Sequence, residues 1–249
     1  MKKILMLAHE FPPVMGGIAT YTSQLAAAAS KAGHRVTVLA SGLTKDQSKD
    51  DKRRYPFTVI RFGAGDYSYR KILHLIWRTY VNAKPSKYDL IHAMDWPHVM
   101  ALAFLNRFRE IPFVATVYGT EILLVPNSGQ IRYLGVDNMF ELPSRIFAIS
   151  EFTKNLLLEK YRTIISDNVI VTPPGVDFAR FSTSQRNFDI RRPYSIPEGN
   201  HIILTVSRLD ERKGHSTVIK ALSELAPELR SATTYIIAGA ADDGAYVRG

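Results

Sequence analysis

The sequence contains no cysteine among its 249 residues. That absence excludes a disulfide framework, a cysteine-ligated zinc site and thiol chemistry, and it is compatible with a reducing cytoplasm. No apolar run approaches the length needed to span a bilayer. The N-terminus is basic and then apolar, but His9-Glu10 interrupt the run after five apolar residues. Such a run is too short for a signal-peptide core and reads as a buried first strand. A G-x-G-x-x-G turn after that strand is also missing, which argues against a nicotinamide or flavin enzyme. Acidic charge is in deficit: 32 Lys and Arg stand against 23 Asp and Glu, a net charge of +9. Such a surplus suits a phosphate-rich, membrane or nucleic-acid partner and does not choose among them. What is present is globular in kind, since 46% hydrophobic residues supply enough apolar surface for a packed core.

Short apolar runs alternate with longer stretches of helical period, the pattern of parallel strands joined by crossover helices. Strands are expected at residues 3–8, 35–40, 58–62, 90–92, 113–117, 146–149 and 169–171. Between the first two, Ile18, Tyr21, Leu25, Ala28 and Ala32 share one helical face, which Gly33 closes. Further helices fit 69–84, 97–109 and 150–161, and the polar stretch 42–55 is expected to be a surface loop. Residues 173–199 hold four prolines and no sustained period. The pattern then restarts with a strand at 201–206, a helix at 214–226 and a strand at 234–238. The expected fold class is α/β: one complete Rossmann-like, doubly wound parallel-sheet domain over residues 1–175, a linker over 176–199, and the first β-α-β unit of a second domain over 200–249.

Four stretches carry residue types suited to chemistry, each where a strand gives way to a turn. Gly16-Gly17 open the first helix, so backbone can approach a ligand closely and free N–H groups with the helix dipole favour an anion; a plain glycine-eased turn is the competing reading. His92-Ala93-Met94-Asp95 lie at the carboxyl edge of the expected sheet, where Asp95 suits either catalysis or a cap before Pro97. Tyr118-Gly119-Thr120-Glu121 place a phenol, a hydroxyl and a carboxylate where a polyhydroxylated substrate could be bound, or form a polar loop. Arg208 to Lys213 bring a planar guanidinium and a point charge to the mouth of a β-α turn, a pair suited to a diphosphate.

In this order, and over about residues 2–239, these motifs resemble the retaining nucleotide-sugar glycosyltransferases of family 4 (group 1), which have the GT-B fold. The resemblance rests on Phe11-Pro12-Pro13 with Gly16-Gly17-Ile18; Gly33-His34-Arg35-Val36-Thr37-Val38; His92-Ala93-Met94-Asp95; Tyr118-Gly119-Thr120-Glu121; Pro174-Gly175-Val176-Asp177; and Arg208-Leu209 with Lys213-Gly214. It implies two Rossmann-like domains facing a cleft, with the acceptor bound mainly by the first and the nucleotide sugar mainly by the second. Gly16 and Gly17 would approach the donor phosphate. Arg208 and Lys213 would neutralise the diphosphate leaving group, so that neither a metal nor another cofactor is required. The implied catalytic set is Tyr118, Asp95 and Glu121, with His92 and Ser150 toward the acceptor. Retention is implied by same-face attack, the leaving phosphate assisting deprotonation of the acceptor hydroxyl.

The sequence departs from the family pattern twice. Tyr118 stands where the family usually has a histidine near the donor sugar; a phenol can hydrogen-bond a hydroxyl but cannot become a cation near neutral pH. The paired glutamates, seven residues apart, that hold the donor lie beyond residue 249 in the family's order. The expectation is therefore a chain truncated within its donor domain that turns over no nucleotide sugar by itself.

The basic surplus concentrates between Ser41 and Leu90, with eleven Lys or Arg against five Asp. The helix there mixes apolar and cationic residues; a core-facing helix with a solvated cationic side is the favoured reading, and an interfacial helix the alternative. The expected partners are a nucleotide sugar and a glycan or lipid-linked acceptor, with peripheral contact at the inner face of the membrane of a cytoplasmic protein. Non-catalytic binding of a glycan or lipid-linked sugar is the second reading. Nucleic acid is not expected, because no helix-turn-helix, zinc or RNA-binding pattern is present.

Overall fold

The first strand, β1 (Lys3–Ala8), is buried from Ile4 onward on both faces, which is why it reads as a continuous apolar run and not as an alternating one. The computed structural model describes residues 1–42, 47–63, 69–124, 133–179, 181–182 and 189–239. Within them the chain divides into two compact units, Met1–Gly175 and Val176–Gly249.

In the first unit the order is β1, α1 (Gly17–Lys31), β2 (Arg35–Gly42), α2 (Gln47–Arg54), β3 (Thr58–Gly63), α3 (Tyr69–Asn82) and β4 (Leu90–Ala93). There follow α4 (Trp96–Asn106), β5 (Val114–Val117), α5 (Thr120–Leu124), β6 (Arg145–Ala148), α6 (Glu151–Lys160) and β7 (Val169–Val171). The seven strands form one parallel sheet in the order β3-β2-β1-β4-β5-β6-β7. Successive side chains of β1 point to opposite faces. Ile4, Met6 and Ala8 join Val36, Val38, Phe11, Phe57 and Ala26 of α1 in one core layer. Leu5 and Leu7 join Leu39, Ile91, Ile76 of α3, Val99 of α4 and Leu157 of α6 in the other. Helices thus cover both faces, the doubly wound α/β arrangement. Helix α4 is apolar all round and buried from Pro97 to Ala103, as a helix sunk within a core should be.

The polar stretch expected as a loop over 42–55 is instead the end of β2 and an eight-residue helix, with residues 43–46 outside the described set. Its helical character escapes a periodicity test because α2 has no apolar face. Its buried anchor is Asp51, paired with Arg61 of β3 at 2.7 Å. Helix α5 was likewise not expected, being only five residues long.

In the second unit β8 (His201–Val206) pairs in parallel with β9 (Thr233–Ala238), and α7 (His215–Ser223) and α8 (Pro227–Ser231) lie between them in sequence. Parallel strands are ordinarily buried on both faces. Here Val206 is 74% exposed, and Leu204, Ile219 and Ile237 are also open to solvent. Little apolar burial holds this pair, so its local opening free energy should be low. Amide exchange is accordingly expected to be faster by orders of magnitude in β8 and β9 than in β1, β4 and β5; equal protection in the two sheets would contradict this reading.

Candidate active site

The winding of the large sheet reverses between β1 and β4, which lie side by side although two strands separate them in sequence. In open α/β sheets the crevice beyond the carboxyl ends of two such strands is where ligands bind. Asp95 leaves β4 there and is only 3% exposed. Its Oδ2 accepts the N–H of His9 and, at 3.1 Å, that of Glu10, both in the turn leaving β1. Its Oδ1 lies 2.9 Å from Nδ1 of His98, one turn into α4. Asp95 holds the N-cap position of α4, yet its side chain makes no cap bond to that helix. The cap reading is thus met in position and not in side-chain bonding: the β1 turn presents two N–H donors, and the carboxylate takes those instead. Burial, the largest influence on His9, holds its imidazole below the ordinary pKa, with Asp95 opposing.

Beyond β5, the Glu121 carboxylate turns back onto its own helix start, accepting the Tyr118 N–H, with the Gly119 and Glu121 amides close by. Burial raises its pKa, those N–H groups lower it, and nearby Asp95 raises it further. Tyr118 packs edge-on against Tyr21 of α1, ring centroids 6.0 Å apart. Its buried hydroxyl lies beside that of Thr22, without a hydrogen bond of good geometry. Burial first, then Asp95, Tyr21 and Glu121, push the phenol well above its usual pKa. It is therefore a neutral hydroxyl across the physiological range, able both to donate and to accept. Asp95, Tyr118 and Glu121 come together, joined by Tyr21 and Thr22, which were not singled out in the sequence. His98 and the His9-Glu10 turn were also missed; their only sequence signal was position, three residues after Asp95 and immediately after β1.

The other expected positions are more varied. His92 lies within the sheet, buried, with Nε2 2.8 Å from Thr116 Oγ1 and its ring 5.4 Å from that of Phe147. Burial lowers its pKa to about 4, so the ring is neutral. Ser150 caps α6, its Oγ accepting the Thr153 N–H at 3.1 Å. Gly16 is the residue preceding α1, and a β-carbon there would stand 3.1 Å from the Glu10 carboxylate, whereas one at Gly17 would meet nothing.

In the second unit, Arg208 and Lys213 are exposed on the segment between β8 and α7. Asp210 is engaged there by Arg212, 2.6 Å from its guanidinium, and the charged hydrogen bonds hold its carboxyl far below the ordinary range. Buried His215 fixes the start of α7 to the end of β8 through Nε2, 3.0 Å from Ser207 Oγ. Gly239 closes the same edge, since a β-carbon on it would lie 1.7 Å from the Ser207 carbonyl oxygen. Among the described residues no three His, Asp or Glu side chains gather as a metal site would require.

Parallel strands, helices on both faces and an acid-lined switch point define the first unit as a Rossmann-like α/β protein. Residues 15–180 match the family model of Glycosyltransferase Family 4, and residues 187–248 match that of Glycosyl transferases group 1. The chain belongs to glycosyltransferase family 4. An uncharacterized glycosyltransferase of Methanocaldococcus jannaschii is 25% identical over 98% of this chain and 65% of its own length. A D-inositol 3-phosphate glycosyltransferase of Nocardiopsis dassonvillei is 27% identical over 65% of the chain and 39% of its own. Among solved structures, Anabaena HepE in complex with UDP and glucose superposes with a TM-score of 0.73 at 21% identity, covering all of this chain and 64% of that one. The fold is therefore of the GT-B glycosyltransferase type, and the chain spans less than two thirds of the length of these relatives.

Two stability measurements test the packing. The folded His92 ring resists protonation until about pH 4, whereas an unfolded imidazole takes a proton below about 6.5. Its contribution is whole above pH 6.5 and drains away as pH falls toward 4, amounting to about 2–3 kcal/mol by pH 4.5. Urea unfolding of wild type and His92→Gln at pH 7 and 4.5 should show the smaller loss in the variant; parallel losses would mean that the ring is not held neutral. Gly239→Ala should cost about 1–3 kcal/mol in the second unit through forced backbone displacement, and unchanged thermal unfolding of that unit would contradict the close approach.

Proposed function

We propose that the protein transfers a sugar from a nucleotide-diphospho-sugar to a glycan or lipid-linked acceptor, with retention of anomeric configuration. The observation that carries this reading is the convergence of Asp95, Tyr118 and Glu121 where the sheet winding reverses, in a member of glycosyltransferase family 4. The amino end of α1 supports it, because Gly16 and Gly17 open a fifteen-residue helix with no acid in its first turn, a setting that favours a phosphate. HepE, with UDP and glucose bound, offers a precedent for the donor class.

In the reaction, the bond from the sugar's anomeric carbon to the diphosphate oxygen breaks, and an acceptor oxygen bonds to that carbon on the same face. The acceptor proton passes to the leaving phosphate. In the second unit, Arg208 and Lys213 carry charge suited to neutralising such a diphosphate. Tyr118 orients a sugar hydroxyl as a neutral partner, Asp95 and Glu121 shape the polar wall around it, and His92 and Ser150 brace the acceptor side. Assaying labelled transfer from a panel of nucleotide sugars to lipid extracts and oligosaccharides tests this. Tyr118→Phe is expected to lower kcat/KM by about 10–100-fold, the loss of one buried hydrogen bond to substrate. Absence of transfer from every donor by the complete protein would sink the reading.

We further propose that the acceptor is met at an anionic membrane surface, at the cytoplasmic face. Leu73, Trp77, Tyr80 and Val81 lie along one side of α3 and are exposed, Leu73 by 63% and Trp77 by 53%. Cations border them: Arg78 lies over the Trp77 ring at 5.6 Å, Arg109 over Tyr80 at 5.0 Å, and Lys84 is exposed at the helix's end. An apolar stripe with basic edges complements acidic headgroups. Among the described residues no helix is long and apolar enough to cross a membrane. Co-sedimentation with phosphatidylglycerol vesicles should exceed that with phosphatidylcholine, and Leu73→Ser with Trp77→Ser should weaken it about tenfold or more; equal partition of wild type and variant would contradict the surface.

A further inference from the structure

Arg61 lies outside every motif that the proposed reaction uses. It sits on β3, two strands from the switch point, and its side chain is only 8% exposed. Its guanidinium reaches three separate segments. Nε and Nη2 donate to the two oxygens of Asp51 on α2 at 2.7 and 2.8 Å. Nη1 donates to the Ser41 carbonyl near the end of β2 at 2.7 Å, and Nη2 also donates to the Pro12 carbonyl at 2.6 Å. The same group lies 5.1 Å from the centre of the Phe11 ring. Close packing around its stem leaves no room at Gly42, where a β-carbon would stand 3.0 Å from Arg61 Cδ.

Phe11 and Pro12 belong to the turn that leads from β1 to Gly16-Gly17. That turn is also held on its other side, where Asp95 accepts the His9 and Glu10 N–H groups and the Ser41 hydroxyl donates to the His9 carbonyl. Arg61 therefore ties the turn to β3 at Pro12, four residues before the first of the glycines. Asp51 is buried while Lys52, Arg53 and Arg54 face solvent, so among the described side chains the ion pair is what docks this polar helix. A planar guanidinium can satisfy both carboxylate oxygens and two carbonyls at once; an ammonium cannot match that fork.

We propose that Arg61, held by Asp51, is a positioning residue that fixes the Gly16-Gly17 turn for the donor phosphate, coupling the docking of α2 to donor affinity. The proposal rests on the reading of that turn as the phosphate seat. Hydrogen exchange of Arg61→Lys, Asp51→Asn and the double variant should show exchange quickened about tenfold or more over residues 9–18 and 47–54, with β5 to β7 unchanged. The double variant should add little to either single one, as residues acting through one contact do. In transfer assays the donor KM should rise about tenfold while the acceptor KM stays constant.

Unchanged exchange over 9–18 in Arg61→Lys, with the fold intact by circular dichroism, overturns the proposal. Quickened exchange with an unchanged donor KM overturns the link to the donor and leaves the transferase reading standing. If the complete protein transfers no sugar, the transferase reading fails; exchange restricted to the two segments then still upholds Arg61 as the residue that sets the turn, and exchange spread through the sheet overturns it.

Discussion

The Asp95 carboxylate, buried where the sheet reverses its winding, is the constraint on which the rest of the candidate site depends. A charged group removed from water must be met by hydrogen bonds. Two come from the His9 and Glu10 amides, with His98 on the remaining side. Satisfying the carboxylate therefore fixes the path by which the chain leaves β1, and with it the entry into α1. Burial is what chiefly raises the pKa of Tyr118 and Glu121, and the same carboxylate adds to both shifts, so it bears on backbone geometry and local electrostatics together.

The two units differ in how they treat charge. In the first, acids and phenols are buried together, and the result is a neutral phenol beside carboxylates that are occupied by backbone N–H groups. In the second, Arg208 and Lys213 stand exposed and Asp210 is already taken up by Arg212. The first unit thus presents a polar wall of neutral phenol and occupied carboxylates, and the second a cationic turn between β8 and α7.

Much of the fold was legible in the sequence because parallel strands buried on both faces leave continuous apolar runs, as in β1, β2 and β5. Helix α1 was legible through its apolar period and the glycine that ends it. Helix α2 was not, because its buried contact among the described side chains is an ion pair, and ion pairs leave no period. The site was legible only in part. Strand ends pointed to Asp95, Tyr118 and Glu121, since the carboxyl edge of a parallel sheet is where polar residues interrupt apolar runs. Which atoms the Asp95 carboxylate would meet depended on the β1 turn, 85 residues away in sequence. A local rule therefore favoured a helix cap. Thr22 and Arg61 were invisible for the same reason: each acts through a tertiary contact.

The central claim is that the two glycine and arginine-lysine turns recognise a nucleoside diphosphate. The most direct measurement is titration of the isotopically labelled protein with UDP, followed by amide chemical shifts. The account predicts saturable shifts at Gly16 and Gly17 and across Arg208 to Gly214, with β6 and β7 unmoved. Saturable UDP binding that leaves all of those amides in place, or no binding at millimolar UDP, would contradict it.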